Sequence, residues 1–209
     1  MCAARCTILG GTNGSGKSSI YETSSGLQCL GEFVNADIVA RSISAERPEA
    51  VSAEARRRVI ARLADNIMRK RDFVFETTLS SHQSLHVMKA AHEAGYHVGL
   101  VFIVLDSVGV NVHRVHERVS RGGHSIPDQV IRRRYRRALQ NLPKAIRLAH
   151  ETAIYDNSLA HPVKLAELSE GALDHHLDVS RPAHREIATA LAQALGVSIE
   201  AIFKVKSPD

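Results

Sequence analysis

The stretch Gly11-Thr12-Asn13-Gly14-Ser15-Gly16-Lys17-Ser18 constrains this chain more than any other part of it. It fits G-x-x-x-x-G-K-[ST], in which glycines let the backbone curl until its N–H groups point inward at an anion. Context separates a working loop from a chance match. Here an apolar strand-like run, Cys6 to Leu9, leads directly into the loop, and Lys17 to Leu27 can form the following helix. That order predicts a cradle for nucleotide phosphates built from Gly11, Thr12, Asn13, Gly14, Ser15, Gly16, Lys17, Ser18 and Ser19. Lys17 would reach the β- and γ-phosphates of ATP, and the Ser18 hydroxyl would ligate Mg2+.

The rest of the chain reads as alternating strands and helices. Strands are expected at Glu32–Val34, Asp72–Phe75, His97–Leu105 and Val163–Leu168. Helices are expected over 49–70, 81–94, 107–121, about 128–150 and 183–195. Alternation of this kind argues for a parallel sheet covered on both faces. Aromatic residues make up only 4% of the 209 residues and Trp is absent, so Val, Ile, Leu and Ala must fill the core. That composition suits buried parallel strands. The formal charge of +5 fits an anionic partner without choosing one. Cys2, Cys6 and Cys29 are too few for a disulfide framework, and the longest apolar run, Val98 to Leu105, is far short of a membrane span. A cytoplasmic, membrane-free protein of one domain is expected.

A phosphate loop alone does not distinguish kinases from GTPases or large ATPases. The sequence has no Asn-Lys-x-Asp guanine-reading motif, and 209 residues are short for a large ATPase, which leaves a small kinase. In a parallel sheet, ligands gather at the carboxyl ends of the strands. Asp37, Glu76 and Asp106 fall there. Asp37 can accept the proton of an attacking hydroxyl, or it can cap the helix that begins near Ile38. Glu76, Thr77 and Thr78 can hydrogen-bond a substrate, Glu76 can hold a Mg2+-bound water, or the group can cap the next helix. Asp106 reads as a cap or as a group that holds a Mg2+-bound water.

Arg114, Arg118 and Arg121 share one helical face and precede Gly122-Gly123, the arrangement of a lid that brings positive charge to a transferring phosphoryl group. A lid is expected around residues 113–127. Arg132, Arg133, Arg134, Arg136 and Arg137 span too wide an arc for more than one or two to point inward. Only one aromatic residue, Tyr135, interleaves with them, which disfavours nucleic acid. His82 and His86, His113 and His116, and the His175-His176 pair read as surface residues.

The combined pattern resembles the zeta-toxin family of phosphate-loop kinases. It rests on Gly11 to Ser19, on Asn35-Ala36-Asp37, on Phe75-Glu76-Thr77-Thr78-Leu79 and on Arg121-Gly-Gly-His-Ser-Ile-Pro127. Asn141-Leu142-Pro143 and Tyr155-Asp156-Asn157 extend it to roughly residues 6–160. The resemblance implies a P-loop NTPase of nucleotide-kinase type: an α/β three-layer sandwich with a mainly parallel sheet of five to six strands and a helical lid. It also implies transfer of the ATP γ-phosphate to a hydroxyl of a nucleotide sugar such as UDP-N-acetylglucosamine, and an antitoxin partner. By that resemblance Asp37 is the base, Lys17 and Ser18 serve ATP and Mg2+, and Glu76 contacts substrate. Arg114 and Arg121 stabilise phosphate, with Arg118 able to replace either. A nucleoside, dinucleotide or simple sugar as acceptor stays open, as does a nucleotide-dependent binding module that uses the later arginines.

Overall fold

Apolar residues alternate along each central strand, and the alternation sorts them onto two faces of one sheet. In the computed structural model, which describes residues 3–123 and 125–204, the strands are β1 (Arg5–Gly11), β2 (Glu32–Val34), β3 (Phe73–Thr77) and β4 (His97–Val104), followed by β5 (Glu151–Asp156), β6 (Val163–Ser169) and β7 (Ala172–His175). Their spatial order is β2-β3-β1-β4-β5-β6-β7. The first five are parallel, and β6 and β7 are added antiparallel at one edge. β1 therefore lies inside the sheet, and the loop that follows it opens at the sheet's carboxyl end.

Cys6, Ile8, Phe73, Phe75, Leu100 and Phe102 point to one face and form the large core. It is closed by α4 (Ser52–Met68), α5 (His82–Glu93), α7 (Asp128–Leu148) and α8 (Pro182–Leu195). Leu9, Val74 and Ile103 point to the other face, under Ile20 and Tyr21 of the short α1 (Lys17–Thr23), with Tyr21 stacked on Phe33 at 3.8 Å between ring centroids. The two faces give the expected three layers, one thick and one thin. The remaining helices are α2 (Ser25–Gln28), α3 (Ala36–Ile43), α6 (Val108–Ser120) and α9 (Ile199–Lys204).

The sheet has seven strands rather than five or six. β5 and β7 are the additions. β5 buries only every second residue, so its sequence, Glu-Thr-Ala-Ile-Tyr-Asp, lacks the continuous apolar run of a central strand even though it pairs with β4 along its length. Pro48 begins a 3-10 turn, Pro48–Val51, and α4 starts only at Ser52. Cys6 is buried, and burial pushes its thiol up to about 12, so it behaves as an apolar side chain; Cys29 is exposed. Cys2, and His124 in the expected lid, lie outside the described residues. His175 corrects the surface assignment: it is 6% exposed and its Nε2 lies 2.7 Å from the Ile202 carbonyl, tying β7 to α9.

Candidate active site

The glycine loop runs from the end of β1 into α1, and neighbouring elements hold it from both sides. Asn111, fully buried in the first turn of α6, donates to Thr12 Oγ1 at 2.7 Å and to the Asn13 carbonyl at 2.8 Å. Asn157, just beyond β5, donates to the Ser15 carbonyl at 2.9 Å. Gly14 has φ of +78°, and a Cβ there would sit 2.7 Å from the Asn111 carbonyl oxygen. Gly14→Ala therefore adds about 1–2 kcal/mol of left-handed backbone strain to a collision with rigid backbone. We expect it to weaken ATP binding measured by calorimetry; an affinity equal to that of the native chain would show that the loop is not held in this shape.

Lys17 is 7% exposed and lies inside the curl, with its ammonium donating to the Thr12 carbonyl at 3.2 Å and 3.7 Å from Glu76 Oε1. Burial holds that ammonium below the ordinary lysine range; Glu76 and Asp37 oppose the shift and Arg118 adds to it. Lys17, Glu76, Asp37 and Arg118 thus belong to one electrostatic neighbourhood. Glu76, at the end of β3, also accepts from Ser18 Oγ at 3.0 Å and from Asn35 Nδ2 at 2.6 Å. Ser18 and Glu76 are hard oxygen donors side by side. Among the described residues there is no cluster of three or more His, Cys, Asp or Glu able to hold a metal ion. This donor set fits Mg2+, which takes one or two protein oxygens and completes its shell with phosphates and water.

Asn35 takes the capping role that was open to Asp37. Its side-chain oxygen accepts from the backbone N–H of Asp37 at 2.6 Å and of Ile38 at 3.1 Å, so Asn35 caps α3. Asp37 sits exposed in the first turn, close enough to act electrostatically on both Lys17 and Arg134. Thr77 has a structural task, since its Oγ1 lies 2.7 Å from Ser84 Oγ and accepts from the Leu79 N–H. Thr78 pairs with Ser80 at 2.8 Å. Leu79 is fully buried with φ of +56°, a strained conformation for a leucine, and its carbonyl is held by Asn141 Nδ2 at 2.8 Å. Asp106 is paired with Arg181 at 2.9 Å and does not cap α6, whose cap position is Ser107.

Arg114, Arg118 and Arg121 have different surroundings. Arg114 is partly buried beside the loop, and its guanidinium donates to the carbonyls of Asn157 at 2.9 Å and Ser158 at 3.4 Å. Arg118 and Arg121 are exposed on the last turns of α6, and Arg118 bears on Lys17 through space. The Gly122-Gly123 turn closes α6 by donating to the Val119 and Arg118 carbonyls at 2.9 Å each. Val112 and Val115 pack against Ile126 and Ile131, and His116 meets Asp128 at 2.8 Å, so α6 is seated on α7. Of the arginines on α7, Arg134 alone is partly buried, and it donates to Asn13 Oδ1 at 3.0 Å. Burial lowers its guanidinium below the usual arginine range, Arg56 and Arg133 add to this, and Asp37 opposes it.

Comparison with known proteins agrees with this geometry. A family model described as an AAA domain matches residues 7–154, a span that contains the loop, Asp37, Glu76 and the arginine helices. A protein of Haemophilus influenzae described only as uncharacterized is 33% identical over 125 residues, covering 60% of this chain and 88% of its own length. The AvrRxo1-ORF1:-ORF2 structure with ATP superposes with a TM-score of 0.66 at 16% identity, over 84% of this chain and 61% of that one. The chain thus spans about three fifths of that relative's length. The PezAT toxin–antitoxin system of Streptococcus pneumoniae superposes with a TM-score of 0.60 at 11% identity, over 98% and 89% of the two chains. At such identities these likenesses show a shared fold alone.

Proposed function

The chain belongs to the AAA domain family, and on that premise we propose that it is an ATP-dependent phosphotransferase acting on a hydroxyl of a small metabolite. The observation that carries this reading is the exposed Asp37 carboxylate in the first turn of α3, just beyond β2, relieved of capping by Asn35 and near enough for its charge to act on the buried Lys17 of the loop. An acid so placed can take the proton of a hydroxyl as its oxygen attacks the γ-phosphorus. The new O–P bond forms, the bond to the bridging β–γ oxygen breaks, and ADP leaves. Lys17 and the lid-face arginines Arg114, Arg118 and Arg121 supply positive charge as it spreads over the phosphoryl oxygens.

The loop residues, including Ser19, bind ATP, and Ser18 with Glu76 would hold Mg2+, which supplies charge neutralisation between the phosphates. Thr78 remains available to an acceptor, whereas Thr77 contributes mainly by shaping the turn after β3. The zeta-toxin resemblance supports a nucleotide sugar such as UDP-N-acetylglucosamine as acceptor, in a cytoplasmic protein with an antitoxin partner. No helix among the described residues is long and apolar enough to cross a membrane. The lid is the last turns of α6 with the Gly122-Gly123 turn.

The test is a panel of nucleotide sugars, nucleosides, dinucleotides and simple sugars incubated with the purified chain and Mg-ATP. Acceptor-dependent ADP formation is expected with at least one class. A chain that binds ATP, transfers nothing and instead forms a salt-sensitive complex with nucleic acid would favour a binding module that uses the exposed Arg132, Arg133, Arg136 and Arg137.

A further inference from the structure

Arg134 stands apart from every other arginine of α7. Its helix is fixed by Ile131, Tyr135, Ala138 and Leu142, all buried, so Arg134, which flanks them in helical phase, is partly buried rather than carried into solvent. The neighbouring Arg132, Arg133, Arg136 and Arg137 are exposed. What Arg134 meets is the phosphate loop itself, through Asn13 Oδ1 at 3.0 Å. Asn13 is in turn held through its carbonyl by the buried Asn111. An amide oxygen neutralises no charge, so the guanidinium arrives beside an anion site with its positive charge intact. Four of its five N–H donors are not used by Asn13.

We infer that Arg134 is a catalytic residue which grips the γ-phosphoryl group from the α7 side, with Asn13 as the positioning residue that presents it. This rests on the phosphotransferase reading and deepens it. The placement suits the role on two counts. Arg134 and Lys17 meet the same loop from different elements, at Asn13 Oδ1 and the Thr12 carbonyl, and the Asp37 charge acts on both. Unlike the exposed Arg118 and Arg121, Arg134 is partly buried and held against the loop by Asn13, and a preorganised planar fork matches the geometry of phosphoryl oxygens. Charge supplied only where it develops stabilises the transition state more than bound ATP.

The experiment compares the affinity for Mg-AMPPNP, a ground-state mimic, with that for Mg-ADP plus aluminium fluoride, a mimic of the phosphoryl group in flight. It uses the full chain and the variants Arg134→Ala, Arg134→Lys and, as an exposed control on the same helix, Arg137→Ala. In Arg134→Ala the tightening of ADP by aluminium fluoride should fall at least about a hundredfold, while AMPPNP affinity changes by no more than about threefold. Arg134→Lys keeps the charge but not the fork and should recover only part of the tightening. Asn13→Ala should lose part of it, and adding Asn13→Ala to Arg134→Ala should lose little beyond Arg134→Ala alone. Arg137→Ala should match the native chain.

Full tightening in Arg134→Ala overturns the inference. If that variant fails to fold, full tightening in a folded Arg134→Lys does the same. A native chain that binds AMPPNP but shows no tightening also overturns it, with nucleotide binding left standing. A native chain that binds neither nucleotide removes the phosphotransferase reading itself.

Discussion

Replacing Lys17 with methionine is expected to lower phosphoryl transfer by at least about a thousandfold, the scale at which loss of a phosphate-directed cation acts. Lys17 is the one loop side chain that carries charge, it is 7% exposed, and its ammonium stands between the Thr12 carbonyl and the Glu76 carboxylate. Methionine keeps the unbranched apolar stem, so the variant separates charge from packing. Glu76 retains its hydrogen bonds from Ser18 and Asn35, which limits the structural cost. Nucleotide turnover and thermal melting should be measured together. Appreciable turnover in a folded variant would remove Lys17 from the phosphate site.

The second large effect is expected at Asp37. Asp37→Asn should lower transfer to the acceptor about a hundredfold to ten-thousandfold, the usual contribution of a positioned general base. Mg-AMPPNP affinity and the melting temperature should stay near those of the native chain. The stability half of this prediction follows from Asn35: the α3 cap belongs to that residue, so the Asp37 carboxylate has no helix terminus to satisfy. A fall in stability with undiminished transfer would reverse the two roles and return Asp37 to the helix.

Much of this architecture is legible in the residues. The loop, the strand before it and the helix after it follow from local backbone chemistry, which is why Gly11 to Ser18 can be placed from the sequence alone. The strands at Cys6–Leu9 and His97–Leu105 are apolar on both faces, as burial between helices requires. β5 escapes because its alternation of Glu151, Ala153 and Tyr155 with Thr152, Ile154 and Asp156 is that of a half-buried strand, although it lies inside the sheet. β7 has only four residues, and its pairing with β6 is set by tertiary contact.

The site divides in the same way. Lys17 is expected from the glycine-loop pattern, and Asp37 and Glu76 from their positions at strand ends. Asn141 and Asn157 enter only through the family resemblance and Asn111 not at all, because a hydrogen bond to a carbonyl 62 or more residues away leaves no local trace. Asn35 does carry a signal, since asparagine just before a helical run is a preferred cap. Arg134 carries another: it falls in the stripe Ile131, Arg134, Tyr135, Ala138, Leu142, at helical spacings on the buried face. Counting the α7 arginines by arc width loses that information, whereas their phase against the apolar stripe singles out Arg134.

The most direct measurement is a crystal structure of the chain with Mg-AMPPNP and an acceptor found in the metabolite panel. The account predicts phosphates wrapped by residues 11–18, Lys17 turned from Glu76 toward the terminal phosphate, and the acceptor hydroxyl between Asp37 and the γ-phosphorus. A nucleotide bound elsewhere, or an acceptor hydroxyl that approaches the γ-phosphorus with Asp37 out of hydrogen-bonding reach, would contradict it.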